Sequence, residues 1–278
     1  LFPTLAILYE ELLKKDVDAL CTMYEAFNLW LDEDWGFNYQ NRLFAAPYIS
    51  LADVDHACNE LEKALEKDAR VLVMRPSAVY TKAGPRNPGH KTFDPFWARV
   101  NEAGITVVAH IGQTRHDSNG YDVKNLDTLS MGTRPSVTNF HRPRNIMDFL
   151  ASLVFDKLFE RFPNIRIASV ENGSEFLPEA LRAFAHSRER TPSYYGEDPV
   201  ESFKQHVWLN PFWEDDIQEV IDYMGADRVI VGSDWPHMEG LEHPRDILEE
   251  VENIPLPVQE KILHTNVAGL NPRTGAAA

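Results

Sequence analysis

Short apolar runs recur along this chain, each closed by a polar residue and followed by a stretch with helical spacing. Ala69-Arg-Val-Leu-Val-Met-Arg-Pro76, Ile105-Thr-Val-Val-Ala-His110, Ile165-Arg-Ile-Ala-Ser-Val170, His206-Val-Trp-Leu-Asn210 and Val229-Ile230-Val231 read as buried strands. Arg42-Leu-Phe-Ala-Ala-Pro-Tyr-Ile-Ser-Leu51 reads as another, and Leu1-Phe2-Pro3-Thr4 resembles the tail of one more. Between them, Leu12, Leu13, Ala19, Leu20, Met23, Phe27 and Trp30 make residues 5–31 mostly helical. Asp53 caps a helix through Lys67, and Phe96–Ala103 forms a helix closing on Gly104. Pro143 opens a helix to about Arg161, ended by Pro163-Asn164. Further helices are predicted over 176–190, 214–224, 245–251 and 258–265, and a Gly/Pro-rich loop over 83–90.

Seven strands alternating with helices, at spacings of about 30 to 40 residues, predict parallel β/α units. A (β/α)8 TIM barrel of ~250 residues averages about 31 per unit. One further unit before Leu1 would complete it, and a chain starting at a strand end without methionine reads as truncated. A doubly wound sheet is the rival, but no G-x-G-x-x-G loop follows an early strand. The expected domain is one barrel over residues 1–278. The long aperiodic segment 111–140 is expected to be a lid.

Composition narrows the function more than the fold. The 278 residues carry a formal net charge of −16, which argues against a nucleic-acid partner. Anionic small substrates stay open, because local arginines decide that. Cys21 and Cys58 are the only cysteines, so no disulfide framework is implied and a cytoplasmic location is expected. No apolar run approaches the roughly 20 residues of a membrane span, and there is no secretory signal pattern. A homodimer is compatible with all of this.

The chemistry gathers where strands end. Asp234 follows Gly232-Ser233 at the exit of one strand, with His237 three residues on, a spacing suited to a metal or proton-transfer site. The plainer alternative is a cap for the next helix. His110 closes another strand, as a ligand or as a hydrogen-bonded structural residue. Arg75, Glu171 and Asn210-Pro211-Phe212-Trp213 close three more. Arg75 would pair with a substrate carboxylate or form a salt bridge across the barrel mouth. Trp213 and Trp235 would wall an aromatic substrate or pack at the rim. His116, Asp117 and Tyr121 belong to the lid or to the solvated surface. No Gly-x-Ser-x-Gly elbow supports serine-hydrolase chemistry.

Three blocks carry a resemblance over nearly the whole chain: Val107–His110, Phe162–Gly173 with Pro178, and Val231–His237, with Asn266 near the end. Together they resemble the amidohydrolase superfamily, most closely its amidohydrolase-2 branch of decarboxylases and hydrolases. The resemblance implies His110 and Asp234 as metal ligands, with Asp234 also exchanging a proton with bound water. It implies Glu171 as ligand, base or structural carboxylate, and His237 as a residue that orients Asp234 or touches substrate. One divalent metal is implied, zinc first, with manganese and iron(II) as alternatives. The implied activity is hydrolysis or non-oxidative decarboxylation of a small, cyclic or aromatic carboxylic-acid-type substrate. The alternative is a metal-free barrel that binds a ligand without turnover. The chief departure is that the family's His-x-His on the first strand has no counterpart here.

Overall fold

Four of the apolar runs lie side by side in one parallel sheet of order β1-β4-β5-β6. They are β1 (Val71–Met74), β4 (Thr106–His110), β5 (Arg166–Val170) and β6 (Val207–Leu209). The computed structural model describes residues 1–2, 6–112, 142–237 and 240–271 of the chain. The expected lid therefore lies, apart from Ile111 and Gly112, outside the described residues. Successive side chains on these strands enter different clusters. Leu72, Val107, Ala109 and Ile167 face Trp97, Phe149, Leu153 and Phe203. Val71, Val73, Val108 and Ala168 face Leu20, Tyr24 and Tyr48. Burial on both faces is why these strands read as continuous apolar runs rather than alternating ones.

The sheet continues on both sides through looser pairing. Val73 N–H donates to Pro47 O at 2.9 Å and Ile49 N–H to Val73 O at 3.0 Å. Among the described residues segment 42–51 makes a single parallel bridge here, Tyr48 with Val73, and no continuous strand. Beyond it, Ala46 N–H donates to Leu1 O at 3.0 Å, and the Leu1 amine donates to Phe44 O at 2.8 Å. On the other flank Val229 bridges Leu209 in parallel, and Ile230 N–H donates to Leu209 O at 2.9 Å. Proline at 47 removes one ladder donor, which helps explain why the first flank stops at a bridge. The architecture is the α/β barrel class that the strand–helix alternation predicts.

Caps set the helix limits. The helix expected over 5–31 is two, α1 (Ile7–Leu12) and α2 (Val17–Asp34). Asp16 divides them by accepting Ala19 N–H at 3.0 Å, a side-chain N-cap. Asp53 caps α3 (Val54–Glu66) in the same way. Gly104, at φ 61°, ends α4 (Asp94–Ala103) in the left-handed region that glycine tolerates. The helix read over 143–161 breaks at Lys157 into α5 (Arg142–Phe155) and α6 (Leu158–Arg161). Then come α7 (Leu177–Arg190), α8 (Pro199–His206) and α9 (Ile217–Met224).

Two elements escaped the sequence reading. Asp198-Pro199 is an N-cap followed by proline at the first helical position, and it starts α8. The segment read as loop over 83–90 instead contributes to a hairpin of β2 (Val79–Thr81) and β3 (Gly84–Arg86). The chain closes with α10 (Ile247–Glu250), α11 (Leu256–Glu260), a π-helical turn and α12 (Asn266–Leu270). Asn266 donates to both Ala226 O and Val229 O at 2.7 Å, pinning α12 to the 229–231 segment.

Candidate metal centre

Register places the site. His110 is level with Val170 across the β4–β5 ladder, so Glu171 emerges one step beyond it on the neighbouring strand. The two side chains meet there, His110 Nε2 to Glu171 Oε2 at 2.9 Å, both almost fully buried. The His110 Nδ1 lies 3.2 Å from Ile111 O. Facing a carboxylate oxygen at that distance, Nε2 is the donor, and its N–H is what joins His110 to Glu171. Phe2 packs against the imidazole, ring centroids 5.4 Å apart.

The strand exit at Glu171 is tightly shaped. Glu171 sits at φ 59° and Gly173 at φ 66°. A left-handed conformation at a glutamate costs of order 1–3 kcal/mol and needs surrounding contacts to hold it. Asn172 supplies several, donating to Ala109 O and Val170 O at 2.9 Å and to Ser169 Oγ at 3.2 Å. A Cβ at Gly173 would lie 2.7 Å from the Phe212 ring, so the turn requires glycine. Asp215 ties this exit to the next by accepting Ser174 N–H, Ser174 O–H and Phe212 N–H, each at 2.9 Å. Asp215 was not foreseen, and one aspartate after Pro211–Glu214 carries no sequence signal for that role.

Asp234 reaches the same place from a turn rather than a ladder. It too has a positive φ, 54°. The turn closes through His237 N–H to Asp234 O and Leu241 N–H to Ser233 O, both 2.9 Å. Gly240 lies so close that a Cβ there would meet both carbonyl oxygens at 2.7 Å. His237 Nδ1 stands 3.9 Å from Asp234 Oδ1, and both side chains are about a quarter exposed.

These two constructions converge. Glu171, Asp234 and His237 present ligand atoms all within 4.8 Å of one another, the metal-type group among the described residues. His110 is not a member of that set and joins it through Glu171. Ligands bound to one ion at about 2.0–2.2 Å stand about 3.0–3.4 Å apart, so modest side-chain adjustment would bring the three donors onto a cation. Carboxylate oxygen and imidazole nitrogen are donors that divalent manganese and zinc accept. The donor set fits such an ion.

The remaining sequence candidates lie around this centre. Arg75 is buried and bonded to Glu11 of α1, Nη2 to Oε2 at 2.6 Å, the salt bridge that stood as its alternative reading. Next to it, Glu10 accepts from the Tyr48 hydroxyl at 2.7 Å and from Ser50. Burial and the Glu10 carboxylate hold the Tyr48 phenol well above its ordinary pKa. Neither glutamate was a sequence candidate, since both sit within an amphipathic helical pattern that reads as surface. Trp213 and Trp235 are 40% and 61% exposed, so neither is core packing. His116, Asp117 and Tyr121 lie outside the described residues.

A parallel α/β barrel with imidazole and carboxylate groups gathered at its strand ends defines a metal-site class of protein. The chain belongs to the amidohydrolase family, whose sequence model matches residues 5–269. Its structure is similar to that of an amidohydrolase from Mycobacterium avium subsp. paratuberculosis, at 35% identity and a TM-score of 0.88. That match covers 98% of this chain and 69% of the other. A dihydroxybenzoic acid decarboxylase from Polaromonas, solved with manganese and 2-nitroresorcinol, matches at TM-score 0.73 and 20% identity. It covers 94% of this chain and 78% of the other, and at that identity it shows the fold alone. Among curated proteins, the 2-amino-3-carboxymuconate-6-semialdehyde decarboxylase of Dictyostelium discoideum is 23% identical over 133 residues. That stretch takes in 44% of this chain and 36% of the relative's length. No helix among the described residues is long and apolar enough to cross a membrane.

Proposed function

We propose that this chain carries the active site of a metal-dependent, non-oxidative decarboxylase acting on a small aromatic or similarly conjugated carboxylic acid. The observation that carries the reading is the convergence of Glu171, Asp234 and His237, with His110 on Glu171, at the carboxyl ends of parallel strands. The names of the similar proteins support it: the Polaromonas and Dictyostelium proteins are both described as decarboxylases. A divalent cation, manganese or zinc, when bound would hold the substrate's oxygens and offset their charge. Manganese gains weight over the zinc first expected because the Polaromonas protein holds it.

Asp234, half-buried and facing the cluster, is the proton carrier. In its acid form it delivers a proton to the carbon bearing the carboxylate; the C–C bond then breaks, carbon dioxide leaves, and the proton takes its place. Glu171 and His110 hold the buried side of the site, and His237 steadies Asp234. Trp213 and Trp235, exposed at neighbouring exits, would flank a planar ring. The two cysteines, Cys21 and Cys58, are both unpaired, which suits a cytoplasmic enzyme.

The test is carbon dioxide release from a panel of hydroxybenzoates and related acids, with elemental analysis of the same preparation. Turnover that tracks one equivalent of manganese or zinc is expected. Undiminished turnover in rigorously metal-free protein would refute the reading.

A further inference from the structure

The opposite pole of the barrel has its own chemistry. A basin of about 500 Å³ opens there, lined by the residues that begin the strands. Arg70 precedes β1, Gly104 and Ile105 precede β4, Arg166 begins β5, Trp208 lies in β6, and Arg228 precedes segment 229–231. A basin of this size is in the range that holds small organic ligands.

Its charge runs against that of the chain. The molecule carries 43 Asp and Glu against 27 Lys and Arg, yet among the described residues three arginines and no acidic residue line this basin. Two of these arginines donate their hydrogen bonds to backbone carbonyls alone. Arg166 donates to Gly104 O and, at 3.0 Å, to Gly269 O. Its Nε is buried without a hydrogen-bond partner. Burial lowers the Arg166 pKa, and no neighbouring carboxylate offsets that effect. Arg228 donates to Lys204 O at 2.9 Å and Asp227 O at 3.3 Å, and lies 4.4 Å over the Trp208 ring. Among the described residues neither guanidinium forms an ion pair with a carboxylate. Carbonyl dipoles position such groups but leave their full charge uncompensated, and a desolvated guanidinium fork is suited to bidentate oxyanions.

We infer that the basin at the amino ends of the strands is a second binding site, for the oxyanion group of a small molecule. Arg166 and Arg228 provide the charge, and Trp208 with its stacked guanidinium provides a flat wall. The group is a phosphoryl or a cluster of carboxylates, and the two are separable by experiment. The site shares no residue with the candidate metal centre and does not depend on its function.

Isothermal titration of the intact chain with pyrophosphate, and separately with citrate, tests this with metal omitted from both arms. Saturable one-to-one binding of at least one probe is expected; tighter binding of pyrophosphate identifies a phosphoryl site, and of citrate a carboxylate site. Arg228→Gln should weaken that binding at least tenfold, and Arg166→Gln likewise. Arg99→Gln, on the surface and paired with Glu62, should leave it unchanged. Melting temperature in the presence of the winning probe gives a second readout, rising in the unaltered protein and not in Arg228→Gln. Absence of saturable binding of both probes to the unaltered protein would overturn the inference. Binding that survives Arg228→Gln undiminished would overturn it equally.

Discussion

His110 with Glu171 and Asp234 with His237 are two histidine–carboxylate pairs in one site, built in opposite ways. The first is buried, meets at 2.9 Å, and sits where two hydrogen-bonded strands end level with each other. The second stands at 3.9 Å, about a quarter exposed, on a turn after a segment that, among the described residues, makes one bridge to the sheet. A ladder fixes position through backbone pairing, so the buried pair has little freedom. A turn fixes position through local hydrogen bonds and close packing, which leaves Asp234 room to gain and lose a proton. The difference assigns the scaffold role to the first pair and the moving proton to the second.

The largest effect expected from this division follows Asp234→Asn. The amide keeps an oxygen toward the cluster but cannot carry the proton. Turnover should fall by about 10²–10⁴-fold, the range that a positioned acid or base contributes, and by clearly more than metal content, since the amide oxygen remains a neutral donor. Equal loss of metal and activity would instead make Asp234 a holding residue like Glu171, and the division would fail.

Next in size is the stability contrast between the two histidines. His110→Ala leaves Glu171 buried without its partner, which costs about 3–5 kcal/mol for a buried pair. His237→Ala removes a half-buried contact at 3.9 Å, and should cost under about 1 kcal/mol. Denaturant melts of both variants in a chelating buffer measure this directly. Costs that agree within error would show that burial does not separate the pairs.

Smaller again is the effect of Gly240→Ala, aimed at the turn alone. The added methyl would press on the carbonyls of Ser233 and Asp234 at 2.7 Å. Overpacking of this kind costs about 1–3 kcal/mol. Because the strain falls on the Asp234 backbone, turnover should drop more than metal content does. An unchanged melting temperature and rate would mean that the turn yields, and that Asp234 is not held by close packing.

The two pairs also differ in how far they could be read before the fold was known. His110 and Glu171 end apolar runs that are strands, so their meeting follows from parallel register once the runs are placed. Asp234 was legible as chemistry through Gly-Ser-Asp-Trp-Pro-His, but its positioning was not. Segment 229–231 reads as a buried strand and carries only a bridge, and the turn depends on Gly240, six residues on. The clamps were invisible for a similar reason. Asp215, Asn172 and Asn266 act by accepting from or donating to backbone atoms that become neighbours only in the fold. Helix α8 carries a start signal in Asp198-Pro199 but, over eight residues with Val200 and Phe203 as its large apolar positions, too little periodicity to stand out beside the apolar run of β6. Arg75 illustrates a different limit: a guanidinium at a strand end suits substrate or ion pair equally, and Glu11 came from a helix whose inner face was not recognised.

His206 offers the smallest and most selective test, as a histidine that belongs to neither pair. It is buried at the end of α8, just before β6, 2.7 Å from Ile165 O through Nδ1 and stacked on Phe159 with centroids 4.5 Å apart. Burial lowers its pKa below the ordinary 6.5; Arg228 adds to that, and the Ile165 carbonyl and Glu197 oppose it. Above about 6.5 the ring is neutral in both the folded and the unfolded chain, and its titration contributes nothing to stability. As pH falls below that value the unfolded chain takes up a proton that the folded one refuses, so stability declines until the lowered folded pKa is passed. His206→Phe keeps a ring against Phe159 and removes the titration. Plotted as the difference between the variant and the unaltered protein, unfolding free energy should be flat above pH 7 and change in the variant's favour as pH falls below 6.5. A difference curve flat throughout, from urea melts between pH 5 and 8, would show that His206 accepts its proton as readily folded as unfolded.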